Sequence, residues 1–303
     1  MPHASDLPSP RIAALLLAAL SGCTLLPPSD AERRVPQGRV EILQNREYSA
    51  SERAYLISAH RPSYFVAGYN DRFDPDIYAF AAGADASEAS RFEAKFQFSG
   101  KYPLVQNIVG DHTDLYLGYT QQSYWQVFSN SEALSRPFRE TNYEPELFLR
   151  HYSVADLPLG GRLAGVDIGI NHQSNGQTLA LSRSWNRVML RAAAKWDHLA
   201  VLARTWLRFP EPDDTDENPN EYRYLGYGDV RAIWSPGDST TTLLVRPATE
   251  SVAFEVTHSF PISGELRLYV QWFSGRGENL FEFEQRSNRL SVGIALTDWL
   301  VGD

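Results

Sequence analysis

From about residue 60 onward the chain is written in short runs that alternate apolar and polar residues, with turn-forming residues between them. Phe92, Ala94, Phe96 and Phe98 share one parity, and Glu93, Lys95, Gln97 and Ser99 share the other. Leu266, Leu268, Val270 and Trp272 alternate with Arg267, Tyr269, Gln271 and Phe273. Leu290, Val292, Ile294 and Leu296 alternate with Arg289, Ser291, Gly293 and Ala295. In a strand successive side chains face opposite sides, so each run presents one apolar and one charged or polar face. About twelve such runs follow, near 62–70, 90–102, 113–125, 142–154, 162–174, 183–196, 197–209, 222–234, 239–248, 250–260, 263–274 and 286–299. Many exceed the usual soluble strand of about 5–6 residues. They match the roughly 9–11 tilted residues needed to cross a bilayer. The hydrocarbon region admits strands only in a closed ring without free edges. The expected fold is therefore all-β, a transmembrane antiparallel β-barrel of about twelve strands over residues 59–303.

What precedes the barrel reads as targeting. Arg11 is followed by the apolar stretch 12–20, too short for a membrane-spanning helix of about 20 residues and of the length of a signal peptide core. The segment 1–23 is read as a signal peptide. Leu20-Ser21-Gly22-Cys23 fits a lipoprotein signal with Cys23 lipidated, and cleavage near Ser21 fits equally. Residues 24–58, with Pro27-Pro28 and no clear period, read as a periplasmic extension. Cys23 is the chain's one cysteine, so no intrachain disulfide forms. A formal charge of −9 argues against nucleic-acid binding.

One pair of runs carries chemistry. Val166, Ile168, Ile170, His172 and Ser174 share a parity, and Asn186, Val188, Leu190 and Ala192 share one on the next run. A serine, a histidine and an asparagine thus project from apolar faces. In such a set the histidine takes the serine proton and the third residue fixes the ring tautomer. An amide oxygen does this without adding a charge, which suits an apolar surface.

At these residues the chain resembles the bacterial outer membrane phospholipase A family. The likeness is carried by His172-Gln173-Ser174-Asn175-Gly176, by Ser-Arg-Ser-Trp-Asn-Arg at 182–187, and by Pro-Phe-Arg-Glu-Thr-Asn-Tyr-Glu-Pro at 137–145. It continues more weakly from about Tyr64 to Leu300. The resemblance implies a calcium-dependent phospholipase A1/A2 in the outer membrane that hydrolyses acyl esters of glycerophospholipids and lysophospholipids. Ser174 is the expected nucleophile, His172 the base and Asn186 its orienting partner. The Gly176 backbone N–H and a calcium-bound water would stabilise the oxyanion. The resemblance also implies that calcium binds at a site completed by reversible pairing of two barrels. Carried over position by position, its ligands fall on Arg136, Gln177, Ser182 and Glu217. Arg136 and Gln177 depart from the family, which commonly has serine and arginine there. Backbone carbonyls at those positions would keep a site workable, while the Arg136 charge would weaken it. Asp216 is an alternative to Glu217. The C-terminus departs too, ending on Leu-Val-Gly-Asp after Trp299 and not on an aromatic residue. A catalytically silent pore or scaffold barrel is the other class compatible with the strand pattern.

Overall fold

The computed structural model describes residues 57–76, 88–152 and 155–297. The signal segment, Cys23, the extension up to residue 56 and Trp299 lie outside the described residues. Among the described residues there are fourteen β segments; Ser58–Ala59 and Asp156–Leu157 are two residues each, and the other twelve close into one antiparallel ring. We number these β1 (Ser63–Asn70), β2 (Phe92–Val105), β3 (Thr113–Trp125), β4 (Glu140–Tyr152), β5 (Gly161–Ser174), β6 (Ser184–Lys195), β7 (Leu199–Arg208), β8 (Gly228–Trp234), β9 (Thr240–Pro247), β10 (Val252–Ser263), β11 (Leu266–Arg276) and β12 (Arg286–Thr297). Each pairs with the next, and β12 pairs with β1 to close the barrel. No edge is left, which is the condition for strands in hydrocarbon.

The alternation sorts as expected for a membrane barrel. Glu93, Lys95 and Gln97 of β2 are buried in the lumen, as are Arg267 and Gln271 of β11 and Arg289 of β12. Outward-facing Ile168 and Ile170 are 54% and 53% exposed, and Val292, Ile294 and Leu296 are exposed likewise. The connections 126–139, 175–183, 209–227 and 277–285 share one end, called here the loop end, and 106–112, 196–198, 235–239 and 264–265 share the other, the turn end.

The lumen charges are paired, because an unpaired buried charge is costly. Glu93 accepts hydrogen bonds from Arg139 (2.7 and 2.8 Å) and Arg289 (2.6 Å). Glu278, on a loop, accepts from Lys95 at 3.2 Å and from Arg289 at 2.9 Å, and these cations hold its carboxyl below the usual range. The chain just before β1 hooks into the barrel. Arg61 donates to Glu144 at 2.7 Å and to Glu146 at 2.6 Å, and His60 Nε2 lies 3.0 Å from Glu146. A Cβ at Gly118 would come within 3.4 Å of the His60 ring, so glycine leaves room for it.

The run expected near 222–234 is two elements. Glu221–Leu225 is a short helix and β8 begins only at Gly228. Gly226 separates them in the left-handed region at φ 65°, where a Cβ would meet Pro247 O at 2.1 Å. Alternation in Glu221-Tyr222-Arg223-Tyr224 imitates a strand, but Leu225 and partly buried Tyr224 cap the lumen at the loop end with Trp185, Trp206, Leu280 and Phe283.

Candidate active site

The site lies at the loop end of the β5–β6 hairpin. His172 faces Asn186, and Ser174 faces Ser184, in an uninterrupted antiparallel register. His172 Nδ1 donates to Asn186 Oδ1 at 2.9 Å. This bond places the proton on Nδ1 and leaves Nε2 as the basic nitrogen. Ser174 stands two residues beyond His172 on the same face, and both are half-buried. Below them on the same outward face lie Ile168, Ile170, Val188 and Leu190.

Register decides this geometry, since a slip of one residue would turn His172 into the lumen. The lumen side locks it. Arg187 donates to Asn171 Oδ1 at 2.9 Å, to Glu144 at 3.1 Å and to Gln173 at 3.1 Å. Its guanidinium lies 3.8 Å from the centre of the Trp185 ring, and Trp185 Nε1 donates to Gln173 at 2.8 Å. Asn171, Gln173, Trp185 and Arg187 are the sequence neighbours of His172 and Asn186, so each strand is pinned directly behind that residue.

Beyond Ser174 the chain turns at Asn175, which is 2% exposed. Its Oδ1 accepts from the N–H groups of Arg183 (3.0 Å) and Gln177 (3.3 Å), and its Nδ2 donates to Leu181 O at 2.8 Å. One side chain therefore shapes the loop between the two strands. Gly176 follows at φ 66°, and a Cβ there would approach Tyr143 to 2.9 Å. That conformation presents the glycine backbone beside Ser174 at low cost.

The loop after β7 reaches the same place. Ser184 Oγ donates to Glu217 Oε2 at 3.3 Å, and the Ser184 N–H donates to Asn218 Oδ1 at 3.3 Å. Asn218 is buried, its Nδ2 donates to Glu221, and Arg208 donates to Asn218 O at 3.1 Å and to Asp216 at 2.6 Å. Burial raises the Glu221 carboxyl to about 8, against the opposing pull of Arg208 and Arg187. Glu221 Oε1 lies 2.9 Å from Arg208 Nε without a hydrogen bond between these atoms.

Of the four residues assigned to calcium, Glu217 is brought to Ser184, directly across from Ser174. Gln177 and half-buried Ser182 lie on the loop shaped by Asn175. Arg136 closes the short helix Glu132–Ser135, and its 76% exposed side chain pairs with Glu132 at 2.6 Å. The cation that would oppose a metal is therefore held by a carboxylate of its own. Asp216 is engaged by Arg208, which leaves Glu217 the better-placed acid. The donors are all oxygens, one of them a carboxylate, which fits a hard dication.

Sequence reasoning missed Ser184, Asn218 and Asn175. Ser184 was legible by counting back equally along the two arms of the hairpin from the His172–Asn186 pair. Asn218 had no local signal, because its partner lies on another hairpin.

A family model described as Phospholipase A1 matches residues 40–296. The chain belongs to the phospholipase A1 family. It is an outer-membrane phospholipase, and its twelve-stranded barrel sits in the bacterial outer membrane. The Escherichia coli K12 phospholipase A1 is 37% identical over 235 residues, covering 76% of this chain and 78% of the relative. A Neisseria meningitidis relative is 39% identical over 215 residues, covering 70% of this chain and only 56% of its own length. Among solved structures, outer membrane phospholipase A from Escherichia coli superposes with a TM-score of 0.75 at 34% identity, over 81% of this chain and all (100%) of that one. The Salmonella typhi outer membrane phospholipase, solved as a dimer with bound calcium, gives 0.74 at 33% identity over 80% of this chain and 93% of that one.

Proposed function

We propose that this phospholipase hydrolyses acyl ester bonds of glycerophospholipids and lysophospholipids through Ser174, His172 and Asn186. The observation that carries the reading is the His172–Asn186 hydrogen bond of 2.9 Å on an outward, apolar barrel face that also bears Ser174. A soluble ester has no reason to reach that face, whereas the acyl chains of membrane lipids lie against it. One comparison supports the third member: a solved variant of the Escherichia coli enzyme carries an alanine at an active-site asparagine.

In the first half-reaction Ser174 Oγ attacks the acyl carbonyl carbon, and His172 Nε2 takes the hydroxyl proton. Asn186 holds Nδ1–H, so the ring stays aligned as it becomes imidazolium. Collapse of the tetrahedral intermediate breaks the ester C–O bond. His172 returns the proton to the departing lysolipid oxygen, leaving an acyl-serine. A water then gives its proton to His172 and attacks the acyl-serine, and the fatty acid leaves as Ser174 regains its proton. The Gly176 N–H is one donor for the oxyanion, and such a donor is worth roughly 3–4 kcal/mol. Glu217, Ser182 and the carbonyls of Gln177 and Arg136 would hold calcium, which would supply positive charge to stabilise the oxyanion.

A single barrel leaves a polar triad on a lipid-facing wall. A second copy laid against Ile168, Ile170, Val188 and Leu190 would form a cleft for the acyl chain and shield the triad. We therefore assign the active form to a reversible homodimer, and the calcium-bound dimer of the Salmonella typhi protein supports that assignment. The test is phospholipid hydrolysis by the purified barrel in mixed micelles, with calcium and with a chelator. Hydrolysis that needs calcium supports the reading; equal rates in both conditions remove the metal from it.

A further inference from the structure

The lumen holds a cavity of about 840 Å³ that the hydrolytic site does not use. It is closed at the loop end by Trp185, Trp206, Leu225 and Leu280, and its wall at the turn end includes His112, Arg162 and Lys195. Alanines 192–194, with Ala200 and Ala203 across the sheet, line the same space, and short side chains there leave it open. Its charge is opposite to that of the chain. The whole protein carries −9, yet eleven basic and five acidic side chains line the cavity. Counting Glu146, buried behind Arg61 and Arg191, the excess is still cationic by five.

Part of that excess lies on three neighbouring strands. Arg204 of β7 faces Asp229 of β8 and donates to its Oδ2 through Nε (3.2 Å) and Nη2 (2.5 Å). Arg231, two residues along β8 on the same face, pairs with Glu255 at 3.1 Å. Arg246 of β9 donates to the carbonyl oxygens of Arg276 and Gly277, each at 2.7 Å. No carboxylate lies within ion-pair distance of it among the described residues, and its buried Nε has no partner. Three guanidiniums thus share two carboxylates, Asp229 and Glu255, and Arg246 is the one left without an acid at ion-pair distance. Guanidinium forks match phosphate oxygens in pairs, and low-dielectric walls focus a field of one sign.

We propose that the barrel lumen is a binding site for a small phosphate-bearing anion that enters from the turn end and is held by Arg204, Arg231 and Arg246. The site is separate from the lipid-facing triad, since the sheet wall lies between them.

The test is titration calorimetry on the full chain in nonionic detergent micelles, with a chelator present. The probes are pyrophosphate, for a free phosphoanion, and glycerol 3-phosphate, for a lipid headgroup. Saturable binding of one probe per barrel is expected, at least tenfold weaker at high salt and at least tenfold weaker in Arg246→Gln. Arg231→Gln serves as the second variant if the first fails to fold. Arg223→Gln removes an equal charge outside the lumen and should bind as the parent does. The tighter probe identifies the source of the phosphate, and either supports the site. Absence of saturable heat with both probes overturns the proposal. So does parental binding in Arg246→Gln and Arg231→Gln, or an equal loss in Arg223→Gln.

Discussion

Asn186 Oδ1 sits 2.9 Å from His172 Nδ1 across the β5–β6 ladder, and the two residues are register partners. Both side chains are therefore placed by backbone pairing of two strands, and neither stands on the loop that joins them. Only the serine lies at the strand end, where the chain begins to turn.

That arrangement predicts unequal losses. His172→Ala removes the proton carrier and should lower kcat by about 10³–10⁴-fold. Asn186→Ala removes only the orienting bond, which water partly replaces, and should lower kcat by a smaller factor. Steady-state kcat of the two variants in the same micelles decides it, and an equal or larger loss at Asn186 would mean that its role is misassigned.

Asn175 makes three hydrogen bonds within its own loop through one buried amide. Asn175→Ala should leave those backbone groups unpaired and cost about 2–3 kcal/mol of local stability. The loop carries Gly176, Gln177 and Ser182, so activity should fall and the calcium requirement should rise. A calcium titration of activity against the parent reads both effects; an unchanged calcium midpoint would separate Asn175 from the metal loop.

Glu221 predicts a pH dependence. Its folded-state carboxyl is raised to about 8, above its ordinary value of 4.5, because it is buried. The folded state thus holds the proton to higher pH than the unfolded state does, and stability is lost as pH rises between those two values. The loss is on the order of a few kcal/mol. Glu221→Gln should flatten the Tm-against-pH curve between about pH 5 and 8. A variant curve as steep as the parent's would place the burial effect elsewhere.

Calcium and the second barrel should each raise affinity for the other, by linkage, roughly 5–150-fold. Sedimentation in micelles, with and without calcium, measures the shift in the dimerisation constant. Full activity in a strictly monomeric, chelator-treated sample would refute the coupling, and with it the roles given to Arg136, Gln177, Ser182 and Glu217.

The barrel was legible in the sequence because period-2 alternation is a local property and the membrane admits one closed solution to it. The grouping of His172, Ser174 and Asn186 was legible for the same reason, since they share faces on two adjacent strands. Glu221–Leu225 misled because alternating tyrosines in a capping helix have the parity of a strand. The Asn218–Ser184 contact and the Arg61 hook join residues far apart in sequence, and no periodicity reports such pairings. The cationic cavity was half visible, since Arg187, Arg191 and Lys195 share a parity, but its excess of charge depends on which strands face across the lumen.

The central claim is that Ser174 is a nucleophile on the outer barrel wall. A long-chain sulfonyl fluoride should sulfonylate that oxygen, with fluoride as the leaving group, and peptide mass spectrometry after labelling reads the site. The account predicts a single adduct on Ser174, loss of hydrolysis in proportion to labelling, and no adduct in a folded Ser174→Ala barrel. Labelling of another residue that tracks with inactivation, or hydrolysis retained by Ser174→Ala, would contradict it.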